Sequence, residues 1–80
     1  HSVFNGNPID MVNDAWEQRN LVEPISDGMG GTIYNIPYKN AGYESGYINT
    51  GAQMDYITIV TLDESTDLIT AFPSFGDYHK

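Results

Sequence analysis

The sequence predicts a single α+β domain, an N-terminal helix packed on a twisted antiparallel sheet of three to four strands. Three observations predict it. A helix-start signal at Asn7 and Pro8 opens an amphipathic stretch, a glycine-rich loop ends it, and two runs of β-branched and aromatic residues follow in the second half. A chain of 80 residues buries only about 60% of its unfolded surface, so residues 1–80 form one domain with one core.

Asn7 is a helix N-cap, since its side-chain oxygen accepts an orphan backbone N–H. Pro8 at the first helical position loses no hydrogen bond, and Asp10 meets the positive end of the helix dipole. Ile9, Val12, Ala15 and Trp16 then share one stripe, while Asp10, Asn13, Asp14, Glu17 and Gln18 fall mostly elsewhere. The spacing predicts a helix over about residues 8–20.

Pro24 and the cluster Ser26, Asp27, Gly28, Met29, Gly30, Gly31 form a loop. Thr32 to Ile36 reads as a strand that Pro37 confines to an edge or a bulge. Lys39 to Gly42 supplies a turn, and Tyr43 to Ile48 a short strand weakened by Gly46. The clearest strand is Asp55 to Leu62; Asp63 to Thr66 is a polar tip, and Leu68 to Phe72 returns antiparallel until Pro73 stops it. The near-continuous apolar character of this hairpin predicts that it is the centre of the sheet and that the strands follow as a meander. Tyr78 and His79 fall in a frayed tail.

With no Cys there is no disulfide framework and no thiolate metal site. No apolar run approaches the ~20 residues that span a bilayer, and the first residues lack the blocks of a signal peptide. A start at His1 rather than Met is what a piece of a longer protein would show, or what His1 and Ser2 would show as the remnant of a purification tag. The net charge of -8 sets eleven acids against Arg19, Lys39 and Lys80. Such a balance opposes unaided binding to a polyanion and favours a basic partner protein.

Several familiar patterns are absent or incomplete. Gly28 to Gly31 has neither a following helix nor a closing Lys-Ser/Thr pair, so it is no phosphate cradle. The run Asp63 to Asp67 lacks the glycine and distal glutamate of an EF-hand, and His1 and His79 are too far apart in sequence for local zinc spacing. No cofactor is expected. The acids read as solvated surface, and the aromatic residues as packing.

Two segments carry a further signal. His1, Val3 and Phe4 precede the helix that contains Met11 to Trp16, and the chain closes with Ile57 to Val60 and then Leu68, Ile69, Thr70, Ala71, Phe72 and Pro73. This pattern resembles the C-terminal ribonuclease domains of bacterial polymorphic toxins, including those of contact-dependent growth inhibition systems, in the group sharing the barnase, EndoU, colicin and RelE fold. Its best part is Thr70 to Pro73. Members often carry a second basic or His residue soon after the first, where this chain has Asn5, Gly6 and Asn7.

The resemblance implies metal-independent cleavage of RNA, transfer RNA foremost; in the expected architecture a concave face or a cleft between helix and sheet would hold the site. His1 would act as general base or acid, and Thr70 would donate its hydroxyl to the scissile phosphate. Beside it, the residues themselves offer Arg19 as a planar clamp for phosphate, and Tyr47, with Tyr43 on the same strand face, as a base-stacking or phosphate-donating group. The plain alternatives are a terminal residue for His1, a strand former for Thr70, a helix-end cation for Arg19 and half-buried strand residues for the tyrosines.

The expected partners are a cognate immunity protein, the RNA itself and, given the charge, a host elongation factor that carries transfer RNA. The domain would be delivered from the cell surface as part of a larger protein and act in the target cytoplasm. The competing class is a non-enzymatic acidic binding module, such as an immunity or inhibitor protein that mimics a polyanion. A third possibility is a structural domain of a secreted β-rich protein.

Overall fold

A computed structural model describes residues 2–28, 30–44, 51–62 and 68–78, with backbone alone at 68 and 69. Five strands and one α-helix form it: β1 (Ser2–Phe4), α1 (Pro8–Glu17), β2 (Ile25–Ser26), β3 (Gly31–Glu44), β4 (Gln53–Leu62) and β5 (Leu68–Ser74), with a 3-10 turn at Arg19–Leu21. The sheet order is β1-β3-β4-β5, all antiparallel, and β2 also pairs with β3. The expected α+β class is what forms, with five strands in place of three to four.

The helix starts as its sequence dictates. The Asn7 side chain accepts from the Asp10 backbone N–H at 3.1 Å, and Pro8 sits in the first turn. It ends three residues before the expected boundary, because the Gln18 N–H bonds the Ala15 carbonyl at 2.9 Å and tightens the chain into the 3-10 turn. Its buried arc centres on Ala15, flanked by Met11, Val12 and Trp16. Ile9 lies outside that arc and is 72% exposed, because it sits about 120° around the helix from Ala15.

Helix α1 covers one face of the sheet. Ile36, Ile57 and Ile59 are buried there, each side chain worth ~1.5–3 kcal/mol of burial. Trp16 meets Tyr34 edge-on with ring centroids 5.2 Å apart. The opposite face carries Ile33, Thr58 and Val60, which are buried as well. Both faces of β4 are therefore covered, and that explains the near-continuous apolar character of its second half. The central pair is β3–β4, with β5 at an edge, so the β4–β5 hairpin is not the centre of the sheet. Continuous apolarity reports two covered faces, not a place in the middle of the strand order.

Strand β3 is one long strand where the sequence predicts two. Its pairing with β4 is irregular between Pro37 and Gly42, and Asn40 takes a positive φ of 58° there. The expected turn is thus a bulge within a strand. Pro37 is tolerated because β2 pairs with β3 at Thr32–Ile33 and β1 at Gly42–Glu44, which leaves the Pro37 stretch an outer edge. The rest of the expected strand, residues 45–48, and the polar tip at 63–66 lie outside the described residues.

Candidate functional site

The last described residues, 75–78, are not frayed; they fold back across the face opposite the helix. The Asn35 side-chain amide donates to the Tyr78 carbonyl at 3.0 Å, and the Tyr78 ring meets Phe72 edge-on at 5.1 Å. Gly76, at φ 86°, turns the tail so closely over Tyr56 that a Cβ would come within 2.6 Å of that ring. Only glycine combines that φ with that approach.

A buried polar relay anchors the tail. The Thr58 hydroxyl bonds Asn35 Oδ1 at 2.7 Å and the Ser74 hydroxyl at 2.6 Å. A hydroxyl has one proton, so donation to the amide oxygen leaves Thr58 to accept from Ser74. Ser74 Oγ in turn accepts the Gly76 N–H at 3.2 Å, and Asn35 completes the circuit through its bond to Tyr78. No buried side-chain polar atom among the described residues lacks a partner.

Tail and sheet edge together enclose an open cavity of about 390 Å³. Strand β5 contributes Phe72, Pro73 and Ser74 to it, and the tail Phe75, Asp77 and Tyr78. Met54 of β4 and Ser2 of β1 complete the lining. The front of the chain and the Phe-Pro end of the last strand therefore meet at one rim. The sheet curls to allow it: a Cβ on Gly42 would collide with the Val3 carbonyl oxygen and lie 2.6 Å from Pro73 Cγ.

The expected site residues divide sharply. Thr70 is exposed on β5 opposite Val60, hence on the face away from the helix, the same face as Phe72 and Ser74. It stands two residues along the strand from Phe72 of the cavity wall. Arg19 is on the other side of the molecule. Its Nη1 donates to the Trp16 carbonyl at 2.9 Å, and its guanidinium lies 4.4 Å from the Trp16 ring centroid. The sheet separates it from Thr70, so the structure does not bring the two together; Arg19 caps the helix end and stacks on Trp16. His1, Tyr47 and His79 lie outside the described residues, while Tyr43 is half-buried on β3.

Ala15, Trp16 and Tyr34 pack between helix and sheet, and the cavity described above opens at the β5 edge. The sequence did carry a signal for this place: Asn35, between Tyr34 and Ile36, and Thr58, between Ile57 and Ile59, are polar residues inside strands, and Asn is depleted there.

Two carboxylates have defined surroundings elsewhere. Asp55 accepts the Asn40 backbone N–H at 2.9 Å and the Gln53 amide at 2.8 Å, and these bonds, the first foremost, hold its pKa below the usual carboxylate value, with Lys39 adding to the effect. Tyr38 donates to Asp14 Oδ2 at 3.4 Å, and burial, then Asp14 and Asp10, push its phenol above its ordinary value. Among the described residues no three His, Cys, Asp or Glu side chains gather as a metal site would require, and no helix is long and apolar enough to cross a membrane.

The site thus defines a class of protein only by its shape: an α+β domain whose two ends converge on a cavity at a sheet edge. Comparison with protein-family models, curated proteins and solved structures gave no match.

Proposed function

We propose that this domain is a ribonuclease, of the kind carried by bacterial toxins, acting at the rim where β1 meets β5. The observation that supports it is that convergence. Residue His1 is bonded to Ser2, which lines the cavity together with Phe72 and Pro73, the end of the segment that carries the toxin resemblance. A fold that left β1 remote from β5 would have removed the reading.

The reaction needs little from the protein, because RNA supplies its own nucleophile. A base takes the 2'-hydroxyl proton, the 2'-oxygen bonds phosphorus, and the bond from phosphorus to the 5'-oxygen breaks as an acid protonates the leaving oxygen. The products are a 2',3'-cyclic phosphate and a 5'-hydroxyl. An imidazole, whose unperturbed pKa is about 6.5, suits the proton transfers, and His1 would supply it. Thr70 donates to a phosphate oxygen as charge builds on it. Partners follow from the same reading: an immunity protein that blocks the rim, and a cationic carrier of transfer RNA that offsets the charge of -8.

The test is incubation of the purified domain with total transfer RNA in the presence of EDTA, together with expression in bacteria. Cleavage to cyclic-phosphate ends, abolished by His1→Ala or Thr70→Ala, is the expected result. Intact RNA and unimpaired growth with the wild-type chain would overturn it.

One observation favours a second reading, an acidic module that binds a basic protein. Asp10, Asp14 and Glu17 are exposed on one side of α1, and Asp14 and Asp10 add to the burial that raises the neighbouring Tyr38 phenol. Like charges spaced four apart destabilise a helix by ~0.2–0.5 kcal/mol, which a basic partner would reverse. A harmless chain that binds a basic protein through this ridge, and loses it on Asp14→Lys, would establish that class.

A further inference from the structure

We propose that Asn5 is a site of spontaneous deamidation, and that the isoaspartyl link it forms in the short connection between β1 and α1 releases β1 from the sheet. The chemistry needs no substrate and is independent of both functional readings.

The reaction asks for an asparagine whose side-chain carbonyl carbon can be reached by the next backbone nitrogen. Gly6 N attacks Asn5 Cγ, the bond from Cγ to Nδ2 breaks, and ammonia leaves with the proton that Gly6 N gives up. Water then opens the five-membered imide. Breakage of its bond between Cγ and the nitrogen yields an aspartate. Breakage at the backbone carbonyl instead leaves the main chain running through Cγ, with a free carboxylate on Cα. Overall one water is consumed and one ammonia released.

Two places in the sequence put a glycine, with no side chain to hinder the attack, after an Asn or Asp: Asn5–Gly6 and Asp27–Gly28. The structure separates them. Asp27 Oδ1 accepts the Gly31 N–H at 2.8 Å, and the Gly28 N–H that would attack donates to Ser26 Oγ at 3.1 Å. Both partners of the reaction are thus held apart from it. Asn5 is exposed, and its side chain makes only a long bond of 3.5 Å to the Asn40 carbonyl. The Gly6 N–H bonds no group among the described residues. Asn7 and Asn35 are barred more simply: Asn7 precedes Pro8, which has no N–H, and the Asn35 amide is tied to Tyr78 and Thr58.

The backbone does not demand a glycine at position 6. Gly28, Gly30 and Gly76 take positive φ and Gly6 does not, and a Cβ there would meet only Met11 Sδ at 3.2 Å, the far end of a flexible side chain. An alanine is therefore accommodated, which makes Gly6→Ala a usable probe.

The position of Asn5 gives the product its effect. Its backbone N–H donates to the Ala41 carbonyl at 3.0 Å, one residue beyond the pairing of Phe4 with Gly42, and Asn7 caps the helix two residues on. An isoaspartyl link inserts an extra main-chain atom between these fixed points and sets a carboxylate beside the Ala41 carbonyl. Strand β1 has only three residues of pairing with which to resist. Because β1 brings Ser2 to the cavity, its release opens the rim.

The purified chain is kept at neutral and at mildly alkaline pH, folded and in urea. Its peptides are mapped by mass spectrometry, with protein-isoaspartate methyltransferase as the probe for the isoaspartyl form. Asn5 should convert in the folded chain, and faster at the higher pH, because Gly6 N must lose its proton. Gly6→Ala should slow the conversion roughly tenfold or more at unchanged melting temperature, and Asn5→Gln should remove the signal. Asp27→Asn supplies a second Asn–Gly pair. In urea that position should convert alongside Asn5, whereas in the folded chain it should lag by roughly tenfold or more. An Asn5 that converts in urea but stays intact when folded overturns the proposal, and so does equal conversion of both positions in the folded chain. The isoaspartyl form is then separated and its hydrogen exchange measured. The amides of Val3 to Asn5 should exchange roughly tenfold faster or more, while Asn5→Asp, which adds the charge without the extra main-chain atom, stays near wild type. An isoaspartyl chain with β1 as protected as before overturns the release of that strand.

Discussion

Pro73 of β5 rests against Gly42 of β3 although β4 runs between their strands. A Cβ at Gly42 would stand 2.6 Å from Pro73 Cγ and collide with the Val3 carbonyl. The contact exists because the β3 bulge curls the sheet until its first and last strands approach.

Gly42→Ala should therefore be disproportionately damaging for a single methyl group. The backbone of β1 cannot yield as a flexible side chain would, so a loss of about 1–3 kcal/mol is expected from overpacking. Urea unfolding measures it, and hydrogen exchange should show β1 protection falling first. An unchanged midpoint would mean that β1 and β5 are not held together at this point.

Thr58→Val keeps the shape of a buried side chain and removes its hydroxyl. Asn35 Oδ1 and Ser74 then lose a partner in the interior, a loss of about 1–3 kcal/mol. Because the relay anchors the tail, the variant should also be trimmed faster by carboxypeptidase, whereas Thr58→Ser should behave like wild type. Equal trimming of all three would show that the tail is held by something else.

Arg19→Ala tests the separation of the two faces. The change removes a cation–π contact and a bond to the Trp16 carbonyl, so a modest fall in melting temperature is expected, on the order of 1 kcal/mol. RNA cleavage, measured on the same preparation, should be retained within a factor of about two, since RT ln 2 is below 0.5 kcal/mol. A large loss of cleavage at unchanged stability would return Arg19 to the active site.

Asp55 predicts a pH dependence. Its folded pKa lies below the unfolded value, so its stabilisation is complete above the unfolded value of about 3.9 and disappears as pH falls through the folded one. Wild type should thus be more stable than Asp55→Asn at pH 6, and the gap should close only below about pH 4. Carboxyl NMR titration gives the midpoint directly; a value at or above the unfolded one would contradict the Asn40 and Gln53 bonds.

Local chemistry made the helix start and the β4–β5 pairing legible. Asn7, Pro8 and the β-branched run in β4 act on residues close in sequence, and each does in space what its pattern implies. Strands β1 and β2, of three and two residues, were not legible, because they exist only through pairing with β3 more than five residues away. Lys39 to Gly42 has turn composition, and nothing local distinguishes a turn from a bulge that continues the strand. The site was half visible. Thr70 to Pro73 marked the strand that borders the cavity, but the tail was hidden, since Gly76 and Asp77 look like loose ends until Asn35, forty-three positions away from Tyr78, is seen to hold them.

Because Ser2 and Tyr78 both line the cavity, anything fused to either terminus emerges within two residues of its mouth. An affinity handle or fluorescent reporter placed there would crowd the opening and could be mistaken for an inhibitor. Attachment at Glu17, exposed at the end of the helix on the other side of the sheet, leaves the entrance clear.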